Sequence, residues 1–159
     1  MAQPAFLLDS SACIPVLRNK AGLEKLPDPA LVGIPVIVAA ELWTGVKKNH
    51  KTHPHQAARL EAFLNLFWLA EFTLDAALHY ADIRAALDHR SRRRLGEDCK
   101  GSPQGETSGA SESIRPGPRS IGPLDLLIAA QARSLGATLV TANAAEFKRV
   151  KGLKVFAWK

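Results

Sequence analysis

Four acidic or amide positions stand directly beside short apolar runs: Asp9 in FLLDSSA, Glu41 in VIVAAELWTG, Asp125 in IGPLDLLIAAQA, and Asn143 with Glu146 in LVTANAAEF. A carboxylate set hard against a buried run is costly to keep charged unless something cationic binds it. Repeated along one chain, the placement suggests a metal site. The chain as a whole is basic, with 21 Lys and Arg against 15 Asp and Glu and a net charge of +6. A basic surface around an acidic cluster is what a metal-using nuclease needs, because the substrate is a polyanion and the cluster must recruit cations.

These residues need a scaffold that delivers them to one place. The 159 residues are 47% apolar and 23% charged, which fits one globular domain with a packed core. Ala5 to Leu8 is a short apolar run ending at Asp9, and Ser10 and Ser11 offer a hydroxyl N-cap to the helical stretch ACIPVLRN. Ile34 to Ala40 is β-branched and leads into ELWTGVKK, so Glu41 is expected where a strand gives way to a helix. Apolar residues at helical spacing predict an amphipathic helix over 56–69. Phe72 to Leu74 reads as a brief strand, with Asp75 as N-cap of AALHYADIRAALDHR. Asp125 precedes LLIAAQARSL, Gly136 reads as a helix stop, and ATLVTAN and LKVFAW read as the last two strands. Strands alternating with helices imply a parallel α/β sheet covered on both faces, with sites at the carboxyl ends of the strands.

One segment breaks the alternation. Residues 91–120 are rich in Ser, Gly, Pro, Arg and Glu without apolar periodicity and read as a flexible insertion. Residues 90–119 hold seven Arg and Lys against four Asp and Glu, a net +3 that could graze RNA. No Gly-rich phosphate loop follows any strand, which argues against a nucleotide-binding α/β protein.

Taken in order, LLDSSACIPVL, VAAELWTGV, HYADIRAAL, IGPLDLLIAAQA, LVTANAAEF and GLKVFAW resemble a PIN domain of the VapC type, the toxin ribonucleases of type II toxin–antitoxin systems. The resemblance covers nearly all of the chain outside 91–120. It implies a single PIN-like domain over 1–159, folded as a three-layer α/β/α sandwich with a mostly parallel sheet and an acidic pocket at the strand ends. It also implies cleavage of RNA with Mg²⁺ or Mn²⁺, a homodimer, and a cognate VapB-like antitoxin whose tail runs into the acidic pocket. An alternative is a PIN-fold module that binds RNA or antitoxin with impaired catalysis. The family carboxylates fall on Asp9, Glu41 and Asp125, with Asn143 as a further pocket residue and Glu146 as an auxiliary charge. Mg²⁺ prefers oxygen ligands and keeps several waters, so one or two carboxylates per ion suffice. Ser11 and Thr141 can hydrogen-bond those carboxylates or a metal-bound water; Ser11 reads equally well as an ordinary N-cap.

Other residues have plainer readings. His50, His53 and His55 in NHKTHPH lack the spacing of a zinc site and read as a solvated turn. Trp43, Phe63, Phe67 and Trp68 read as core or dimer surface, and Asp75, Asp82 and Asp88 as caps or solvated charges. Arg92 to Arg94 and Lys47, Lys48 and Lys51 are basic runs able to meet phosphate without reading sequence. Cys13 and Cys99 sit in dissimilar contexts and form no disulfide framework, which fits a reducing compartment. Neither a signal-like N-terminus nor an apolar stretch of about 18 residues is evident, so a cytoplasmic protein free of membrane is expected.

Overall fold

The structure, a computed structural model, describes residues 3–19, 28–48, 54–95 and 121–158. Five strands form one sheet in the order β3-β2-β1-β4-β5. These are β1 (Phe6–Leu8), β2 (Val32–Pro35), β3 (Trp68–Ala70), β4 (Thr138–Thr141) and β5 (Lys154–Ala157). All four pairings are parallel. The helices are α1 (Ser10–Asn19), α2 (Val36–Lys48), α3 (Gln56–Leu64), α4 (Leu74–Leu95), α5 (Pro123–Ser134) and α6 (Ala144–Phe147).

The strand order explains both the layers and the location of the site. From β1 the chain steps outward through β2 to β3, then returns across the sheet to β4 on the other side of β1. Parallel crossovers are right-handed, so reversing the direction of travel moves the connecting helices to the opposite face. Helices α1, α2 and α3 accordingly touch one another, while α4 packs along α5. The result is the expected α/β/α sandwich. The reversal lies between β1 and β4, whose carboxyl ends deliver Asp9 and Thr141 to one crevice. The core runs through the sheet: Leu7, Leu8, Val32, Ile34, Leu139 and Val140 are wholly buried. Parallel strands covered on both faces must be apolar throughout, and every residue of β2 is buried.

Several boundaries differ from the sequence expectations. The β-branched run after Ile34 is mostly helix, because Pro35 closes the short strand and Val38, Ala39, Leu42 and Val46 bury one side of α2. Glu41 is therefore well inside a helix rather than at a strand end. The helix expected over 56–69 stops at Leu64, and Trp68 and Leu69 belong to β3. Phe63 and Phe67 kept a helical spacing because they meet edge to face across the intervening turn, with ring centroids 5.1 Å apart. No strand forms at Phe72 to Leu74. Thr73 rather than Asp75 caps α4, its Oγ1 accepting from the Ala76 N–H at 3.3 Å. Asp75, Asp82 and Asp88 instead face His79, Arg133 and Arg84 respectively.

Helix α4 runs on to Leu95, into the stretch expected as insertion from residue 91. The rest of that stretch, Cys99, Lys51, His50 and His53 lie outside the described residues, and His55 is exposed just before α3 without a side-chain cap bond. Gly136 does end a helix, with φ of 63° beyond the last turn of α5. Among the described residues no helix is long and apolar enough to cross a membrane.

Gly33 marks the tightest backbone approach in the sheet. A Cβ there would sit 2.9 Å from Leu7 Cδ2 and 3.2 Å from Pro4 Cγ. Leu7 is wholly buried and has nowhere to turn. Gly33→Val is expected to cost about 1–3 kcal/mol of overpacking strain, read as a lower urea midpoint at unchanged slope. An unchanged midpoint would mean that β1 and β2 separate freely.

Candidate active site

Asp9 follows β1 and is itself the N-cap of α1, a role the sequence suggested for the serines after it. Its backbone carbonyl accepts from the N–H of Cys13 at 3.0 Å, and its Oδ1 accepts from the Ala12 N–H at 2.9 Å. Ser11 Oγ donates to the same Oδ1 at 2.7 Å, and Thr141 Oγ1 donates to Oδ2. The Asp9 N–H meanwhile donates to the Val140 carbonyl at 3.1 Å, continuing the β1–β4 ladder. Asp9 is only 3% exposed, yet its charge is met by a backbone N–H and two hydroxyls. Oδ2 has one described donor and two lone pairs, so it can serve one more partner.

The two hydroxyls also shape the end of β4. Ser11 Oγ accepts from the Ala142 N–H at 2.8 Å, and Thr141 Oγ1 accepts from the Asn143 N–H at 2.9 Å. Both hydroxyls thus hydrogen-bond the Asp9 carboxylate while accepting from the chain after β4, with Ser11 inside the first turn of α1. Asn143 precedes α6 as its N-cap but makes no side-chain cap bond and is exposed, so its carboxamide is available.

Glu41 comes from α2 and Asp125 from the first turn of α5. Glu41 Oε2 is buried and has no hydrogen-bond partner among the described residues. Asp125 feels its neighbours directly. Burial raises its pKa above the usual carboxylate value, the charges of Glu41, Glu146 and Asp9 raise it further, and a backbone hydrogen bond with Gly122 opposes them. The fold therefore brings Asp9, Glu41, Asp125 and Glu146 into one electrostatic neighbourhood from four separate elements. Gly122 keeps room for this carboxylate, since a Cβ there would sit 3.0 Å from Asp125 Oδ2.

A buried carboxylate oxygen without a partner among the described residues, beside other acids, is a group whose charge a cation would offset. The donors are all oxygen, which suits a hard divalent ion better than zinc or copper. Among the described residues no three His, Cys, Asp or Glu side chains are grouped so as to hold an ion by themselves. An ion such as Mg²⁺, which keeps several waters and takes one or two carboxylates directly, does not require such a cage. Cys13 lies wholly buried behind Asp9, where burial and then the Asp9 charge push its thiol well above the ordinary value. It is a packing residue, not a nucleophile.

A groove of about 340 Å³ opens beside Glu41 between α1, α2 and α3. Ile14, Leu17, Leu42 and Val46 give it an apolar lining, and Arg18 and Arg59 stand along it. Arg59 Nη2 donates to the Arg18 carbonyl at 2.7 Å, tying the two helices together at that point. The sequence reading missed this surface. Its signal was Ile14 and Leu17, which lie outside the buried α1 set of Ala12, Cys13 and Val16.

The raised pKa of Asp125 has a consequence for stability. The folded chain binds a proton there more tightly than the unfolded chain, so this contribution to stability is full below the ordinary carboxylate pKa. It is lost as pH rises through the raised value. Asp125→Asn cannot ionise and is expected to raise the melting temperature of metal-free protein at neutral pH, by roughly 1–3 °C for a chain of this size. The gain should shrink as pH falls toward about 4, the ordinary carboxylate range. Scanning calorimetry across that range checks it, and a lower melting temperature for the variant at neutral pH would contradict the electrostatic account.

A sequence model of the PIN domain family matches residues 6–153. Ribonuclease VapC2 of Rickettsia felis is 28% identical over 158 residues, covering 96% of this chain and 97% of that protein. The tRNA(fMet)-specific endonuclease VapC of Shigella flexneri is 27% identical over 156 residues, with 96% and 97% covered. Among solved structures, VapBC2 of Rickettsia felis bound to a promoter DNA fragment superposes with a TM-score of 0.71 at 28% identity, covering 97% of this chain and 98% of its own. DNA-bound VapBC of Salmonella typhimurium gives a TM-score of 0.76 at 24% identity, covering 99% and 100%, a likeness of fold. The parallel sheet and the ordered sequence blocks thus have one common explanation: the chain belongs to the PIN domain family and stands within it beside the VapC ribonucleases.

Proposed function

We propose that this chain is a metal-dependent endoribonuclease, the toxin of a type II toxin–antitoxin pair, with Asp9, Glu41 and Asp125 as ligands of Mg²⁺ or Mn²⁺. The observation that carries the reading is that Glu41 Oε2 is buried without a hydrogen-bond partner among the described residues, while the charges of neighbouring acids raise the pKa of Asp125. A bound divalent ion supplies the missing positive charge, a water of lowered pKa and neutralisation of the leaving oxygen. The protein's task is to hold oxygens still while phosphate charge redistributes. Asp9 is suited to it because three donors fix its carboxylate before substrate arrives. Ser11 and Thr141 keep that orientation, Asn143 offers a neutral oxygen at the rim, and Glu146 adds to the negative field. RNA is the substrate the VapC relatives' names and the basic balance of the chain both favour.

The groove beside Glu41 is the surface we assign to a VapB-like antitoxin. An amphipathic segment can bury apolar side chains against Ile14, Leu17, Leu42 and Val46 while a cation reaches Glu41. The same reading takes 1–159 as one domain acting as a homodimer in the cytoplasm.

Purified protein incubated with total RNA and Mg²⁺ or Mn²⁺ tests the activity. Asp9→Asn is expected to slow cleavage at least about 100-fold, the scale for losing a pre-organised charged group. Cleavage that survives Asp9→Asn, or that persists in chelator, would sink the metal reading. The groove has its own test. Ile14 is 38% exposed, so Ile14→Glu should leave the fold and RNA cleavage intact while weakening a co-expressed antitoxin's hold by at least about tenfold. Unchanged affinity by calorimetry would move the antitoxin off this groove.

A further inference from the structure

We propose that Gln131 is a positioning residue for Asp125: its buried carboxamide fixes where α5 sits along the sheet, and so how the Asp125 carboxylate meets Glu41 and Asp9. Gln131 is 1% exposed and lies in the interior of α5. Its Nε2 donates to two consecutive carbonyls at the end of β3, to Ala70 at 2.7 Å and to Glu71 at 2.8 Å. Both donors are spent, so the amide has one sensible orientation; turning it over would set Oε1 against two carbonyl oxygens.

The rest of the buried surface of α5 cannot do this work. Leu126, Ile128, Ala129, Ala130 and Ala132 are apolar, mostly small, and their burial is non-directional. Such a face holds a helix against a sheet but resists sliding along its axis weakly. Arg133 adds a second tether, with Nε donating to His79 Nδ1 at 2.7 Å and Nη2 to the His79 carbonyl at 3.0 Å. That tether runs to α4, the helix alongside, whereas Gln131 ties α5 to a strand of the sheet that carries Asp9. Asp125 and Gln131 are six residues apart on one helix, about 9 Å of rigid rod, so a slip at one is passed to the other. A restraint is needed because Glu41, Glu146 and Asp9 all repel Asp125.

Gln131 also gives up something in this arrangement. Its Oε1 is buried and has no partner among the described residues. A side chain retained for stability alone would not leave an acceptor bare, since an apolar residue of the same size avoids that cost.

This inference rests on the metal reading for its functional effect, though its first readout does not. Crystal structures of the wild type and Gln131→Met, a volume-conserving apolar change, should show the Asp125 carboxylate displaced from Asp9 and Glu41 by about 1 Å or more, the looseness that spoils a site. Calorimetric titration with Mn²⁺ should show affinity lowered about 10–100-fold in Gln131→Met, as for loss of an outer-shell support. In an Asp125→Asn background the same change should alter affinity less than about twofold, because a residue that acts through Asp125 has nothing left to position. Ile128→Val, which loosens the same helix without removing a hydrogen bond, should leave Mn²⁺ affinity unchanged. Should Gln131→Met not fold, Gln131→Asn keeps the amide one carbon short and carries the same comparisons. An unmoved Asp125 in the variant overturns the inference, as does an affinity loss of equal size with and without the Asp125 carboxylate. If wild-type protein binds no Mn²⁺, the metal reading fails and the crystallographic displacement still decides the role of Gln131.

Discussion

The carboxylate of Asp9 is the point at which strand, helix and neighbouring strand are joined. Its Oδ1 takes the Ala12 N–H and the Ser11 hydroxyl from the first turn of α1, and its Oδ2 takes the Thr141 hydroxyl from the end of β4. The same residue's N–H extends the β1–β4 ladder. A buried charge is tolerable only when hydrogen bonds replace its water, and here the replacements come from the first turn of α1 and from the end of β4. Folding the β1–β4 switch point thus also orients the Asp9 carboxylate. The Asp9 charge also explains why Ser11 and Thr141 are hydroxyl residues in an otherwise apolar setting, where alanine or valine would pack as well.

Around this satisfied acid the fold places acids that are not satisfied. Glu41 has a buried oxygen without a hydrogen-bond partner among the described residues, and Asp125 is pressed upward in pKa by desolvation and by its neighbours. Stability alone would remove both charges. The cost is carried by a core in which the sheet residues Leu7, Leu8, Val32, Ile34, Leu139 and Val140 are fully enclosed. A marginally stable domain can hold such a frustrated cluster only where the surrounding structure over-determines it, which is the usual circumstance of a functional site. A cation bound among these acids would relieve their repulsion as well as attract each oxygen.

How much of this could be read from the chain depended on which physical signal dominated locally. Asp9 and Asp125 were legible because Asp9 closes one apolar run and Asp125 opens another near an element boundary, and β1, β4 and β5 because short apolar stretches were bounded by turn residues. The segment after Ile34 was not, since three β-branched residues in a row suggest a strand while burial at Val38, Ala39, Leu42 and Val46 makes a helix. Phe67 and Trp68 continued the periodicity of α3 past its end for a similar reason: edge-to-face packing of Phe63 with Phe67 preserves a spacing of four without a helix beneath it. Gln131 was hidden altogether, because its partners are backbone carbonyls 60 residues away and backbone carries no sequence signal. The groove was missed because its apolar residues come from separate helices and form no run.

The division between strand-borne and helix-borne side chains separates two demands on the site. Asp9, Ser11 and Thr141 lie at the sheet's switch point, where ladder hydrogen bonds leave little freedom, and their geometry is set once the sheet is formed. Glu41 rides on α2, whose buried face is apolar, so its approach can respond to what binds beside it, whereas Asp125 rides on α5, which Gln131 ties to the end of β3. Glu41 also lines the groove along α1 and α2. One carboxylate thus belongs both to the acidic cluster and to the surface assigned to the antitoxin. Under the function proposed above, a partner that offered a cation to Glu41 through that groove would compete with a metal ion for the same oxygen, so inhibition would need no distant conformational change. It would require only that the partner satisfy the group the fold left unsatisfied.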